Sequence, residues 1–270
     1  MRLKDFFYML GFKPKGKKYG HTQVTYQLPD DGTVDFAYWE HPRFDGFKIE
    51  QDHISALRKF LKPGDVAIDI GAHCGDTTVP MALAVGKEGY VFAFEPNPYV
   101  FDTLDANSKL NQEKSNIEAI QYAASDKPQE LVFEYSGPDF VNGGRHEGIS
   151  KWKHGHAFEL RVQSVNVTDY LNEKFPDTLN KLKFIKVDTE GYDLYVLKSM
   201  IGLLEEQLPF LRIEIFKHTS QEYRDELYDL LKGLNYSIHK FESPSQYQGQ
   251  QLNKEDMQNW KHFDIFCSPT

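Results

Sequence analysis

Carboxylates recur in this sequence at or near the ends of short apolar runs, where a side chain can reach a ligand at the carboxyl edge of a parallel sheet. Asp69 stands near the end of the run 65–70, and Glu95 directly follows Tyr90–Phe94. Asp188 and Glu190 follow Leu182–Val187, while Glu214 lies inside the run 210–216 with His218 just past it. Such groups can accept a proton from an attacking hydroxyl or hold a divalent cation that lowers the hydroxyl's pKa. Asp188, Glu190, Glu214 and His218 are therefore the candidates for the chemical step. Asp188, Glu190 and Glu214 are also the candidate ligands for a magnesium or manganese ion, with direct base catalysis placed ahead of metal catalysis.

The spacing around Asp69 and Glu95 points to a nucleoside ligand. Between them runs Gly71-Ala72-His73-Cys74-Gly75-Asp76-Thr77-Thr78. Gly71 and Gly75 permit a sharp turn and close backbone approach, and a helix starting near Asp76 would turn its free N–H groups toward the same place. An acid after the second strand supplies a bidentate acceptor for vicinal ribose hydroxyls. Asp69 would repel a pyrophosphate, and GAHCG lacks the GxGxxG spacing that brings backbone onto one. The pattern favours S-adenosylmethionine over NAD. The candidate cofactor residues are Asp69, Gly71, Ala72, His73, Gly75, Thr77, Thr78, Glu95, Pro96, Asn97 and Asp188. Ala123, Ala124 and Ser125 join them as a small-residue edge for adenine, unless they are a simple turn into Lys127-Pro128.

These residues need strands and helices to position them. The stretches 65–70, Tyr90–Phe94, 117–123, Leu182–Val187 and 210–216 read as buried strands, with 236–241 and 263–267 as late ones. Helical patterns cover 49–61, 79–85, 99–110, 194–204 and 221–231. Strand and helix alternate without repeats, which predicts a doubly wound, mostly parallel α/β sheet. Ahead of it, residues 22–28 and 34–39 flank Pro29-Asp30-Asp31-Gly32, a hairpin signal, and residues 2–10 carry Leu3, Phe6, Phe7 and Leu10 on one helical face. The expected layout is an N-terminal helix and hairpin extension over 1–45, followed by a catalytic domain over 46–270.

Two further β-rich runs, 131–135 and Phe158–Val165, enclose the glycine- and histidine-rich segment 136–157. A loop of that length in a compact domain serves as a lid or substrate loop, or is disordered. We read it as a flexible substrate loop in which Asn142, Arg145, His146 and Trp152 face an acceptor, the tryptophan by stacking on a sugar ring. His154 and His156 have no regular partner spacing with cysteine or carboxylate and read as solvated.

Composition bounds the classes. The 270 residues carry a net charge of −9, which argues against a nucleic-acid partner held by a broad cationic face. The local cluster Lys13-Pro14-Lys15-Gly16-Lys17-Lys18 reads as a solvated loop before an anionic-surface contact. No apolar run approaches a membrane span, and the first residues lack a signal peptide's apolar core, so a cytoplasmic protein is expected. Cys74 and Cys267 fit no disulfide or metal framework. The first helix offers a surface for packing on the domain or on a second copy of the chain.

Taken together, DVAIDIGAHCGDTT, FAFEPNP and FIKVDTEGYDLYVLKS resemble the FkbM-type methyltransferases, a branch of the class I S-adenosylmethionine-dependent family. The resemblance covers about residues 50–216, and the stretch 186–191 is its most distinctive part. It implies a Rossmann-like sheet of seven strands with the last antiparallel. It also implies O-methylation of a sugar hydroxyl in a glycan or glycosylated product. Asp69, Gly71 and Gly75 match its cofactor turn, Glu95 its ribose acid, and Ala124 or Ser125 its adenine edge. His73 departs from the smaller or amide residue expected there and either meets the methionine carboxylate or lines the turn. A non-sugar natural product as acceptor, and a Rossmann-like binding protein without catalysis, are the competing readings.

Overall fold

A computed structural model of the chain describes residues 14–135, 137–141, 143–144 and 158–270. Its centre is a seven-stranded sheet built from β3 (Val66–Ile70), β4 (Tyr90–Phe94), β5 (Ile117–Ile120), β10 (Leu182–Val187), β11 (Phe210–Ile215), β12 (Tyr236–Lys240) and β13 (Phe263–Pro269). The strand order is β12-β13-β11-β10-β3-β4-β5. Strands β11, β10, β3, β4 and β5 run parallel, and β13 is antiparallel to both of its neighbours. The expected doubly wound sheet with an antiparallel last strand is what the chain forms.

Strand periodicity sorts the side chains onto two cores. Val66, Ile68 and Ile70 of β3 and Phe92 and Phe94 of β4 pack on one face with α4 (Val167–Lys174), α5 (Asp193–Ser199), α6 (Ile201–Gln207) and α7 (Gln221–Gly233). Ala67 and Val91 point the other way, against α1 (Gln51–Leu57) and α2 (Thr78–Val85). A strand covered on both faces must be apolar throughout, which is why these runs show no polar alternation. All eight residues of α2 are buried, so this helix is the centre of its layer.

The hairpin β1 (His21–Leu28) and β2 (Gly32–Trp39) forms as its turn residues require, and Val34 and Phe36 enter the second core. It is fastened by α3 (Pro98–Ser108) and the residues just after it. The Asn107 amide accepts from Ala37 N–H at 2.7 Å and donates to Ala37 O at 3.0 Å and Cys74 O at 2.8 Å. Asn111, four residues on, accepts from Asp35 N–H and donates to Asp35 O. Two asparagine amides thus mimic the next strand along the β2 edge, and Asn107 joins that edge to the turn after β3.

Three stretches depart from the sequence expectation. The strand expected over 117–123 stops at Ile120, where Tyr122 N–H closes a tight turn onto Ile120 O. Its remainder, β6 (Ala123–Ala124), pairs instead with β9 (Phe158–Val165) in a second sheet that also holds β7 (Gln129–Tyr135) and β8 (Gly143–Gly144). The helix expected over 194–204 is two helices, separated at the non-helical Met200. Helix α4 had no counterpart in the sequence reading, although Asn166 caps it by accepting from Asp169 N–H. The amphipathic segment 2–10 and most of 142–157, including Asn142, Arg145, His146 and Trp152, lie outside the described residues. Among the described residues no helix is long and apolar enough to cross a membrane.

Replacing Asn107 by Ala strands three backbone groups, two of them on the β2 edge. The substitution is expected to destabilise the fold by about 2–5 kcal/mol, read as a lowered urea midpoint with an unchanged slope.

Candidate active site

The carboxyl ends of β3, β4 and β10 open onto a cavity of about 250 Å³. Its floor is Ile70, Gly71 and Phe94; its polar groups come from His73, Glu95, Asn97, Asp188, Thr189 and Glu190. The second sheet supplies the facing wall. Leu131, Phe133 and Tyr135 alternate along β7 with their side chains toward the cavity, and Ala123 and Ala124 complete the wall.

Gly71 is required by its neighbour strand. Its φ is +79°, and a Cβ there would lie 1.9 Å from Asp188 O. The glycine thus lets β10 close on β3, where Asp188 N–H donates to Ile70 O at 3.0 Å. Gly75, with φ +95°, lets the turn come down on Leu104 and Asn107 of α3. Asp69 is wholly buried, and its Oδ2 accepts from the Thr77 and Thr78 hydroxyls at 2.7 Å each. Asp69, Thr77 and Thr78 therefore bind the turn to its strand, and none of them lines the cavity.

Beneath the cavity lies a cation that sequence reasoning missed. Lys186, 4% exposed, donates to Gly71 O at 3.2 Å and lies 3.4 Å from Asp69 Oδ1 and 3.3 Å from Asp188 Oδ2. Burial works against its charge, but Asp188 and Asp69 outweigh burial and raise its pKa. For Asp188, burial is likewise overcome, by Lys186 and then Arg212, so its carboxyl stays ionised below the usual range. Its side chain is 38% exposed to the cavity side. A lysine inside an apolar strand, with acids two residues on and on the next strand, was the available signal.

Glu95 is 7% exposed and grips the two loops beside it. Its Oε2 accepts from His73 N–H at 2.9 Å and its Oε1 from Asn97 N–H at 2.8 Å. Burial pushes its pKa up to about 7 against those two hydrogen bonds. His73 takes a left-handed φ of 51° and sets its ring edge-on to Trp39 at 4.9 Å. Burial lowers its pKa, so the imidazole is neutral at neutral pH. Asn97 caps α3 and donates to Phe140 O at 2.7 Å, drawing residues 137–141 onto the rim, where Val141 lines the cavity.

The turn after β10 is organised by Asp193, a second missed residue. Its carboxylate accepts from Thr189 N–H at 2.9 Å and Gly191 N–H at 3.1 Å. Glu190 lines the cavity with a φ of 57°, and burial followed by Asp188 raises its pKa to about 7. Glu214 sits behind it, 5% exposed, and Arg212 pairs with Asp264 rather than with Glu214. His218 is exposed on the turn after β11, its ring edge-on to Phe216. Ser125 is buried with its N–H committed to Val165 O, which leaves Ala123 and Ala124 as the small residues facing the cavity. Among the described residues the one grouping of three potential metal ligands is His73, Cys74 and Asp76, not the trio Asp188, Glu190 and Glu214. Cys74 is a poor ligand there, since burial holds its thiol well above its ordinary pKa.

The residues present fit S-adenosylmethionine. Glu95 offers acceptors for a diol, ionised Asp188 offers a counter-charge for a cation, and Ala123, Ala124, Leu131 and Phe133 offer an apolar surface for a flat base. Ionised Glu95 accepts more strongly than neutral Glu95. Affinity for S-adenosylhomocysteine is therefore expected to weaken as pH falls through about 7, the value to which burial raises Glu95. Calorimetry across that range on the wild type and on Glu95→Gln checks this, with the glutamine variant binding weakly and without the pH step.

Comparison with known proteins gives the same direction. Hexuronic acid methyltransferase AglP of Haloferax volcanii is 32% identical over 169 residues, which are 62% of each protein. Methyltransferase sdnD of Sordaria araneosa is 28% identical over 61% of this chain and 70% of its own length. The chain thus spans somewhat under two thirds of AglP. Among solved structures, methyltransferase FkbM from Methylobacillus flagellatus KT aligns at 16% identity and a TM-score of 0.44, over 76% of this chain and 44% of that one. The methyltransferase FkbM domain model matches residues 69–238, from the acid that pins the first turn to the sixth strand of the sheet, and the chain belongs to that family.

Proposed function

We propose that the chain is an S-adenosylmethionine-dependent O-methyltransferase whose acceptor is a hydroxyl of a sugar or glycoconjugate. The observation that carries this reading is the meeting of Glu95, Asp188 and Glu190 in one cavity, with Glu190 titrating at about 7. Family membership supplies methyl transfer as the chemistry. The relative named for hexuronic acid supports a carbohydrate acceptor.

In this reading Glu95 accepts from the ribose hydroxyls, and the backbone of Gly71, Ala72 and His73 flanks the methionine end. When bound, S-adenosylmethionine supplies an electrophilic methyl group on a sulfonium. Asp188, kept ionised by Lys186, balances positive charge on that side of the cavity. Glu190 takes the acceptor's proton, because a base with a pKa near the working pH is both ionised and basic enough to serve. Glu214 cannot take that role while its carboxyl is pushed up to about 11 by burial and by the acids around it. Tyr135, close to Glu95 and Glu190, shields the reacting end from water, and Asn142, Arg145, His146 and Trp152 of the loop read the acceptor's hydroxyls and ring face. The hairpin β1–β2 braces the cofactor turn through Asn107, which joins Ala37 to Cys74 O. This reading uses a carboxylate base rather than a divalent cation.

Glu190→Gln is expected to lower turnover by about 10²-fold or more while S-adenosylhomocysteine binds with little change. A screen of methyl transfer to nucleotide sugars, oligosaccharides and catechols tests the acceptor, and transfer to catechols alone would refute the sugar reading. Activity should survive EDTA; loss restored by magnesium or manganese would reinstate the metal.

A further inference from the structure

Glu190 is held in an uncommon state. A non-glycine residue with positive φ is strained and persists only where its surroundings over-determine it. Asp193 holds the amides on either side of Glu190, whose own amide is held from outside the turn. Glu190 N–H donates to Glu214 Oε2 at 3.0 Å, and the other oxygen of Glu214 lies 2.9 Å from His262 Nε2. Glu214 belongs to β11, paired in register with Asp264 of β13, and is 5% exposed, so its position is fixed by the central sheet. His262 immediately precedes β13, and its side chain is 50% exposed. The chain runs from surface imidazole to buried carboxyl to the backbone of the cavity residue.

We propose that Glu214 and His262 are a positioning couple: they fix Glu190 in the left-handed conformation that presents its carboxyl to the cavity, and neither touches the reacting atoms. The protonation of Glu214 agrees with this. Burial, then Asp188, Asp193 and Glu190, push its pKa up to about 11, so Glu214 is a neutral carboxyl whose Oε2 accepts from Glu190 N–H while Oε1 lies against His262 Nε2. A neutral partner suits the task, because a second carboxylate behind Glu190 would raise the pKa of the base still further. Glu214 and His262 together hold a backbone amide as a strand neighbour would, at a point where the sheet has already ended. A base misplaced by about 1 Å can lose on the order of 10²-fold in rate, so this geometry bears on turnover more than on cofactor affinity.

The inference rests on the proposed role of Glu190, and its test separates the two. In the full-length chain, Glu214→Leu, Glu214→Gln, His262→Ala and His262→Gln are compared by amide hydrogen exchange at Glu190 and, with a saccharide that the wild type methylates, by kcat and KM. Glu214→Leu is expected to speed exchange at Glu190 by about 10-fold or more as its acceptor is lost. Glu214→Gln, which keeps an acceptor for the amide and a donor for the imidazole, is expected to restore most of the protection. His262→Ala should lower kcat by about 10-fold without raising KM for S-adenosylmethionine, and His262→Gln should recover most of it. Unchanged exchange in Glu214→Leu overturns the proposal, as does wild-type kcat in His262→Ala. Turnover in Glu214→Gln as low as in Glu214→Leu would also overturn it, by making the carboxylate itself the reacting group. If the wild type methylates no saccharide, the acceptor reading fails and the exchange measurement still decides the positioning role.

Discussion

A buried ammonium holds the cavity's floor together. Lys186 sits under the turn after β3, touching Asp69, Asp188 and Gly71 O, three groups contributed by two adjacent strands. A lone lysine at that depth would shed its proton. Beside Asp188 and Asp69 it keeps its charge, and breaking such a buried set by removing one member typically costs about 3–5 kcal/mol. The interaction therefore works less as added stability than as a constraint on how β3 and β10 end. The turn of residues 71–78 departs from one of those ends and the turn of residues 188–193 from the other.

That constraint divides the acids of the site into two kinds. Asp69 and Asp188 meet Lys186, and Asp188 is held below the usual carboxyl range. Glu95 and Glu190 lie farther toward the cavity, where burial dominates and raises both to about 7. The same residue chemistry thus yields a fixed anion and two groups that exchange protons near neutrality. Asp193 and Glu214 stand behind the cavity; Asp193 gives both oxygens to backbone amides, and Glu214 gives one to an amide and sets the other against His262.

Much of this was legible in the sequence because strands buried on both faces write themselves as continuous apolar runs, and acids at their ends stand out against them. The strands ending at Ile70, Phe94 and Val187 could be read that way, and so could the hairpin with its Pro-Asp-Asp-Gly turn. Pairing partners could not. Nothing in the run 117–123 announces that Ala123 leaves β5 for Ser164, since a strand's sequence records burial and not its neighbour. Helix α4 escaped notice because its apolar positions are few, Val167 and Leu171, and only its asparagine cap marks it. The sequence also did not show that Asp69 accepts from Thr77 and Thr78, or that Gly71 makes room for Asp188 O, because both contacts depend on how the turn folds back. Long-range pairs such as Glu214 with His262 carry no local spacing at all.

The wall formed by β7 belongs to a hydrogen-bonded unit separate from the seven-stranded sheet. Leu131, Phe133 and Tyr135 can change size without altering a single rung of the ladder that carries Glu95 and Asp188. Of the residues that alternate with them, Glu130 and Val132 are exposed, Val132 by 40%, while Glu134 is buried. A lineage carrying this architecture could resize this wall while the strands that lead to Glu95, Asp188 and Glu190 stay as they are, because wall and acids are inherited on different sheets.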